Sequence, residues 1–206
     1  MNQPNWLKWA KELQSIAQAG LAYSKDVYDL ERFEQIRDLS VEIMKHYTDM
    51  SHTKIRDLFT NETGYATPKV DIRGVVFKDN KILMVRESED GKWSLPGGWG
   101  DIGFTPSEVA VKEVYEESGF EVKANRLLGV FDKSRHPHPP SAYHIYKLFI
   151  LCDITGGQAK EGIETSAVGF FGLDELPPLS EGRITTSQIE YLFDCLHNPQ
   201  KPVYFD

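Results

Sequence analysis

Residues 95–120 read LPGGWGDIGFTPSEVAVKEVYEESGF, and no other stretch constrains the fold of this chain as tightly. Two adjacent glycines, Gly97 and Gly98, precede a helix whose two ends are both specified. Thr105 suits the N-cap, Pro106 suits N1, and Glu108 at N3 completes a capping box. Phe104 at N′ is placed to staple against Val109 at N4, and Gly119 to end the helix at C′. Between these ends, Glu113, Glu116 and Glu117 recur at i, i+3 and i+4, which puts three carboxylates on one side of the helix. Carboxylates crowded in this way resist ionisation unless a cation compensates them. A solvated acidic face is the plain reading of EVYEE alone. The glycines favour a metal instead, because they admit close backbone approach and the Gly98 carbonyl is available to complete a shell. Hard oxygen donors of this kind suit Mg²⁺ or Mn²⁺, which screen a pyrophosphate and lower the pKa of attacking water.

The surrounding pattern is short and extended. Val70 to Phe77 reads as a strand, Asp79-Asn80 as a turn and KILMVRE as the return strand. Residues 92–104 form a Gly-rich loop. Further strands are expected over 121–131, 143–153 and 167–171, and a last helix over about 186–197. Strands interrupted by one helix and closed by another give a mixed α/β or α+β domain.

The first 60 residues are different, reading as helices. Trp6, Trp9, Leu13 and Ile16 recur at helical spacing up to Gly20. Asp26 or Asp29 is placed to cap a second helix, with Leu30, Phe33, Ile36, Leu39, Ile43 and Tyr47 along its apolar side. A short third helix is expected from Thr53 to Phe59. NETGYATP, Asn61 to Pro68, is the boundary, giving a helical domain over 1–65 and an α/β domain over 66–206. So small a helical segment buries little by itself, so its Trp-bearing stripe is expected to build a homodimer; packing within one chain is the alternative.

Of 23 basic and 31 acidic residues, 15 and 22 fall after residue 60, so −7 of the net charge of −8 belongs to the second part. That balance argues against duplex DNA and anionic membrane as partners. Cys152 and Cys195 match no metal spacing and read as buried reduced thiols, as in a reducing cytosol. With no signal-peptide pattern at MNQPNWLKWAKEL and no apolar run near 18 residues, a cytoplasmic protein is expected.

From Gly98 to Phe120 the chain resembles the Nudix box: Gly, five residues, Glu, seven residues, Arg-Glu, an aliphatic residue, any residue, Glu-Glu, any residue, Gly, and an aliphatic or aromatic residue. Gly98, Glu113, Val114, Glu116, Glu117, Gly119 and Phe120 stand in register. Two positions depart: Phe104 stands at the first Glu, and Lys112 at the Arg, where it keeps the charge but loses the bidentate fork. The resemblance covers roughly 66–206 and implies an α/β/α sandwich with a mixed sheet, here preceded by a small all-helical domain. It implies that Glu113, Glu116 and Glu117, with Gly98, hold Mg²⁺ or Mn²⁺, and that Glu116 and Glu117 serve catalysis. It also implies hydrolysis of a nucleoside diphosphate linked to a group X. The N-terminal helices and the GYATPKVDIRG junction resemble a branch that puts CDP-choline first, giving CMP and phosphocholine. ADP-ribose or a UDP-sugar, short RNA, and a non-catalytic nucleotide-sensing regulator are the alternatives.

The resemblance also implies a further catalytic carboxylate from the loop KEGIETS, Glu164 first and Glu161 as a weaker version, with an ordinary exposed loop glutamate as the alternative. Lys133, Arg135, His136 and His138, in FDKSRHPHPP, give an acidic domain a local positive edge suited to phosphate. Arg73 and Arg86, on the strands before the box, complete the substrate-binding candidates, each with an ordinary ion pair as the alternative.

Overall fold

The computed structural model describes residues 4–49, 51–60 and 63–206, within which the side chains of Asp26, Thr105 and Thr185 cap helix N-termini. Asn61 and Glu62 of the expected junction lie outside the described residues, as do Met1 to Gln3. The chain divides into two units, Met1–Pro68 with Pro140–His144, and Lys69–Pro139 with Ile145–Asp206. Grouping of Pro140–His144 with the helices is a feature that a single boundary near residue 65 does not contain.

The helical unit holds α1 (Asn5–Tyr23), α2 (Val27–Tyr47) and α3 (His52–Thr60). Asp26 is the cap of α2, its carboxylate accepting from the Tyr28 and Asp29 amides. Leu7, Ala10, Val41, Met44 and Ile55 form the core, and Trp6, Ile43 and Ala142 pack against it. The Trp6 and Tyr47 rings stack at 5.1 Å. The inner face of α1 differs from the expected stripe, since Leu7, Ala10, Gln14, Ala17 and Gln18 are buried while Trp9 and Ile16 are about half exposed. On α2, Ser40, Val41 and Met44 are buried, whereas Leu39 and Tyr47 are exposed. Close approach of the helices explains the choice. A Cβ on Gly20 would lie 2.3 Å from the Phe33 ring, so small side chains face inward and large ones remain outside.

The second unit is a mixed sheet between two helices. Its elements are β1 (Lys69–Lys78), β2 (Lys81–Glu87), β3 (Trp93–Ser94), β4 (Gly97–Trp99), α4 (Pro106–Ser118), β5 (Phe120–Asp132), β6 (Ile145–Gly157), β7 (Thr165–Phe171), α5 (Thr186–His197) and β8 (Tyr204–Phe205). Strand order is β3-β2-β1-β6-β5-β8, with β4 paired to β1 and β7 to β2. β1 and β6 are parallel, and β1 is buried on both faces, as a central strand with covered sides must be. Asp79 and Asn80 take positive φ in the β1–β2 turn, the conformation that suits a tight hairpin. On one face, Val75, Met84, Leu95, Phe131 and Phe149 pack with Ile189, Leu192 and Phe193 of α5. On the other, Ile72, Val76, Leu83 and Ile150 pack with Val109, Ala110 and Val114 of α4. The expected α/β/α sandwich is present.

β1 and β2 pair only beside their turn, at Phe77–Ile82 and Lys78–Lys81. Further along, β1 pairs with β4 through Asp71, Ile72 and Arg73, while β2 continues with β7 and β3. This fork seats Pro96 to Gly98 against the middle of β1, where the Gly74 amide donates to the Pro96 carbonyl at 2.9 Å.

Candidate active site

Helix α4 is built as its sequence specifies. Thr105 is the N-cap, Thr105 and Glu108 complete the capping box, and Gly119 ends the helix at φ 75°. The expected staple is not supported. Phe104 is 52% exposed, because the turn before the helix closes through its own amide donating to the Asp101 carbonyl.

The glycine turn and the helix meet through Glu117, which is buried and accepts from the Gly97 amide at 3.0 Å. Burial pushes the Glu117 carboxyl up to about 8, against the pull of Arg73 and the Gly97 N–H. Burial also raises Glu113, with Lys112 opposing the shift and Glu116 adding to it. Glu116 is the exposed member of the three. Gly98 lies directly over Glu113, since a Cβ there would stand 3.2 Å from Glu113 Oε2.

Across the cleft, Thr165 pins the following loop to the helix. Its hydroxyl donates to the Glu117 carbonyl and accepts from the Gly162 amide, each at 2.8 Å. The Ser88 amide donates to the Glu164 carbonyl. One cleft is thereby lined by Gly98, Glu113, Glu116, Glu117, Glu161 and Glu164.

Among the described residues, no three acidic, histidine or cysteine side chains already converge as a metal cage. The donor set nonetheless fits a hard divalent cation. It consists of carboxylate oxygens beside a glycine backbone, and Glu117 is a desolvated carboxylate whose ionised form needs positive charge nearby.

Arg73 is corrected. It is 4% exposed and fully engaged: Nε and Nη2 donate to both oxygens of Asp71, and Nη1 donates to Ser94 Oγ and the Leu95 carbonyl. It braces the approach to the glycine turn and has no free face for substrate. Arg86 is exposed, its Nε donates to the Gly91 carbonyl beside the β2–β3 connection, and it lies outside the cleft lining.

Lys133, Arg135, His136 and His138 also lie outside the glutamate cleft. Arg135 is exposed, 3.9 Å from Asp132. His136 packs on Phe131, with Nε2 2.9 Å from Asp206. Lys133 is half-buried, and burial lowers its pKa with Asp71 opposing. His138 Nδ1–H donates to the Glu181 carbonyl at 2.7 Å, which leaves Nε2 a lone-pair acceptor, buried and without a protein partner. Burial drives the His138 pKa down to about 4, and the charges of Lys147 and Lys133 act in the same direction.

Three further buried charges, Lys147, Asp71 and Glu87, lack any sequence motif of their own. Lys147 is 1% exposed and donates to Asp71 at 2.6 Å, with burial bringing its pKa to about 8 against the attraction of Asp71. The paired Asp71 carboxyl remains well below the usual carboxylate range despite burial. Glu87 is buried at the end of β2, 3.2 Å from Arg183 Nε. A lone lysine inside IYKLFILC and an Asp-x-Arg pair on one face of a strand were the available signals.

Comparison with known proteins gives two family matches. Residues 67–192 match the NUDIX domain, and residues 4–59 match a family described as a UDP-X-like, N-terminal oligomerisation domain. The chain belongs to the Nudix hydrolases. This Nudix hydrolase is 52% identical over 204 residues to a Bacillus subtilis (strain 168) protein with the provisional name ADP-ribose pyrophosphatase YjhB, covering 99% of this chain and 98% of that one. It is similar to the crystal structure of an ADP-ribose pyrophosphatase from Streptococcus suis, with 41% identity and a TM-score of 0.63 over 68% of this chain and all of that one. A UDP-X diphosphatase crystal structure matches over the full length of both chains, with 34% identity and a TM-score of 0.64.

Proposed function

We propose that this Nudix hydrolase cleaves the pyrophosphate of a nucleoside diphosphate linked to a sugar, with ADP-ribose first and a UDP-sugar second. The observation that carries the reading is Glu117, buried, held by the Gly97 amide and sharing one cleft with Glu113, Glu116 and Glu164. Glu113, Glu116 and Glu117, beside Gly98, are the residues that would hold Mg²⁺ or Mn²⁺. Such an ion, when bound, neutralises pyrophosphate oxygens and makes water a better nucleophile near neutral pH.

The chain's own groups do the rest. The Gly97 N–H fixes one oxygen of Glu117, so the carboxylate faces the cleft in one orientation. Arg73, held by Asp71, Ser94 and Leu95, stabilises the ionised form of Glu117 from behind. Glu164, exposed in the cleft on a loop anchored through Thr165, is the group proposed to take the proton from attacking water. Water adds to one phosphorus, the bridging P–O bond breaks, and the other phosphate departs. From ADP-ribose this yields AMP and ribose 5-phosphate.

CDP-choline, the substrate placed first by sequence, is not carried forward. The relatives described above bear ADP-ribose and UDP-X names. Lys133, Arg135, His136 and His138, which lie outside the glutamate cleft, are retained as proposed substrate contacts. No feature among the described residues favours short RNA.

The helical unit is proposed to form a homodimer. Its matching family is described as an oligomerisation domain, and it leaves Trp9, Ile16 and Leu39 half exposed. A cytoplasmic location is proposed on two buried, unpaired cysteines, Cys152 and Cys195. Among the described residues, no helix is long and apolar enough to cross a membrane.

The test is product chromatography on ADP-ribose, UDP-sugars and CDP-choline with Mg²⁺ and with Mn²⁺. AMP release in preference to the other products supports the reading. Preferential CMP release would replace the substrate, and no cleavage of any diphosphate would end it.

A further inference from the structure

Lys112 shares α4 with the three glutamates. Its ammonium stands 2.9 Å from Asp101 Oδ2, 3.6 Å from Glu113 Oε1 and 3.8 Å from Glu116 Oε2. Only the first contact is a hydrogen bond of ordinary length. Asp101 sits between β4 and α4, in a turn closed by its own carbonyl accepting from the Phe104 amide and followed at once by the Thr105 capping box. Its backbone is therefore fixed on the helix side, eleven residues before the lysine it holds. The box has a glutamate where this chain has Phe104, so Asp101 is the carboxylate that the turn offers Lys112.

We infer that Asp101 is a positioning residue for the metal site, holding the Lys112 ammonium at the rim of the Glu113–Glu116 pair. A lysine is a compact charge on a flexible four-carbon stem with three donors. Anchored at 2.9 Å on Asp101, it offsets part of the repulsion between Glu113 and Glu116 from the side. Released, it would close on the same carboxylates and compete there with a divalent cation. Both partners are substantially exposed, with side chains 48% and 35% accessible, so the pair contributes little to folding. That separates positioning from structural support. The inference rests on the proposed role of Glu113 and Glu116 in holding metal.

The experiment is a Mn²⁺ titration of the full chain, read by the electron paramagnetic resonance of free Mn²⁺, for wild type, Asp101→Asn and Asp101→Glu, with thermal unfolding of each. Asp101→Asn is expected to weaken Mn²⁺ binding roughly tenfold, the lower end of effects seen when groups orienting metal ligands are removed. Asp101→Glu should restore most of the affinity, and the unfolding temperatures should stay close together. In turnover, the Mn²⁺ concentration at half-maximal rate should rise more than kcat falls. Wild-type Mn²⁺ affinity in Asp101→Asn overturns the inference, whether or not that variant unfolds earlier. Equal loss in Asp101→Asn and Asp101→Glu also overturns it, because the anchoring charge would then be irrelevant. If wild type itself binds no Mn²⁺, the metal reading of the glutamates fails and the inference fails with it.

Discussion

The Gly97 amide donates to the Glu117 carboxylate across 3.0 Å, joining the glycine turn to a helix residue twenty positions later. The bond requires a backbone that only glycine adopts readily. Gly97 has φ +148°, and a Cβ there would lie 2.1 Å from the Ile72 carbonyl oxygen. Turn, central strand and acidic helix are locked at one point.

Gly97→Ala should therefore displace the turn and disturb Glu117. A loss of about 1–3 kcal/mol is expected from the backbone strain, with a fall in kcat. Denaturant unfolding and steady-state kinetics check both, and wild-type values for each would contradict the locking role.

Glu117 gives the metal-free protein a definite pH dependence. Its folded pKa, about 8, lies above the ordinary carboxylate value, so the folded state holds the proton more tightly than the unfolded chain. Its contribution is fully present below pH 4.5 and is lost as pH rises toward 8. With chelator present, wild type should lose stability relative to Glu117→Gln over that window. Parallel stability curves for the two proteins would refute the assignment.

Asp71 sits between two buried cations, Arg73 and Lys147. Asp71→Asn removes the carboxylate hydrogen-bonded to both cations and should cost about 3–5 kcal/mol, the scale for breaking a buried pair. Lys147→Met leaves the Asp71–Arg73 pair intact and should cost less. The reverse order in urea unfolding would show that Lys147, not Asp71, organises the cluster.

Trp9 and Ile16 are exposed on α1, so replacing both with Glu should leave the monomer fold intact. Wild type should sediment as a dimer at micromolar concentration, and the double variant as a monomer. Monomeric wild type would remove the dimer proposal.

What the sequence discloses follows the range of the interactions. Thr105, Pro106, Glu108 and Gly119 mark α4 because capping acts within four residues. Asp79-Asn80 marks the hairpin for the same reason. The two strands inside the glycine loop, Trp93–Ser94 and Gly97–Trp99, are too short to show a period. The inner face of α1 departs from its helical-period stripe because it is selected by the approach of Gly20 to Phe33, which favours small residues over Trp9. Arg73 looked available for substrate because its lock depends on Asp71, Ser94 and Leu95 being brought together by the fold of the strands. Glu113, Glu116 and Glu117 were legible because one helix carries them all. Their placement against Gly97 and Gly98 required the fork between β1 and β2.

The most direct test of a Glu117-centred pyrophosphatase is kcat/KM for ADP-ribose, measured beside a UDP-sugar and CDP-choline at saturating Mg²⁺, in wild type and Glu117→Gln. ADP-ribose should give the highest value, and Glu117→Gln should lower its kcat by about 10²–10³ while the protein stays folded, the scale for losing one essential electrostatic group. A folded Glu117→Gln enzyme that hydrolyses ADP-ribose at the wild-type rate would contradict the account.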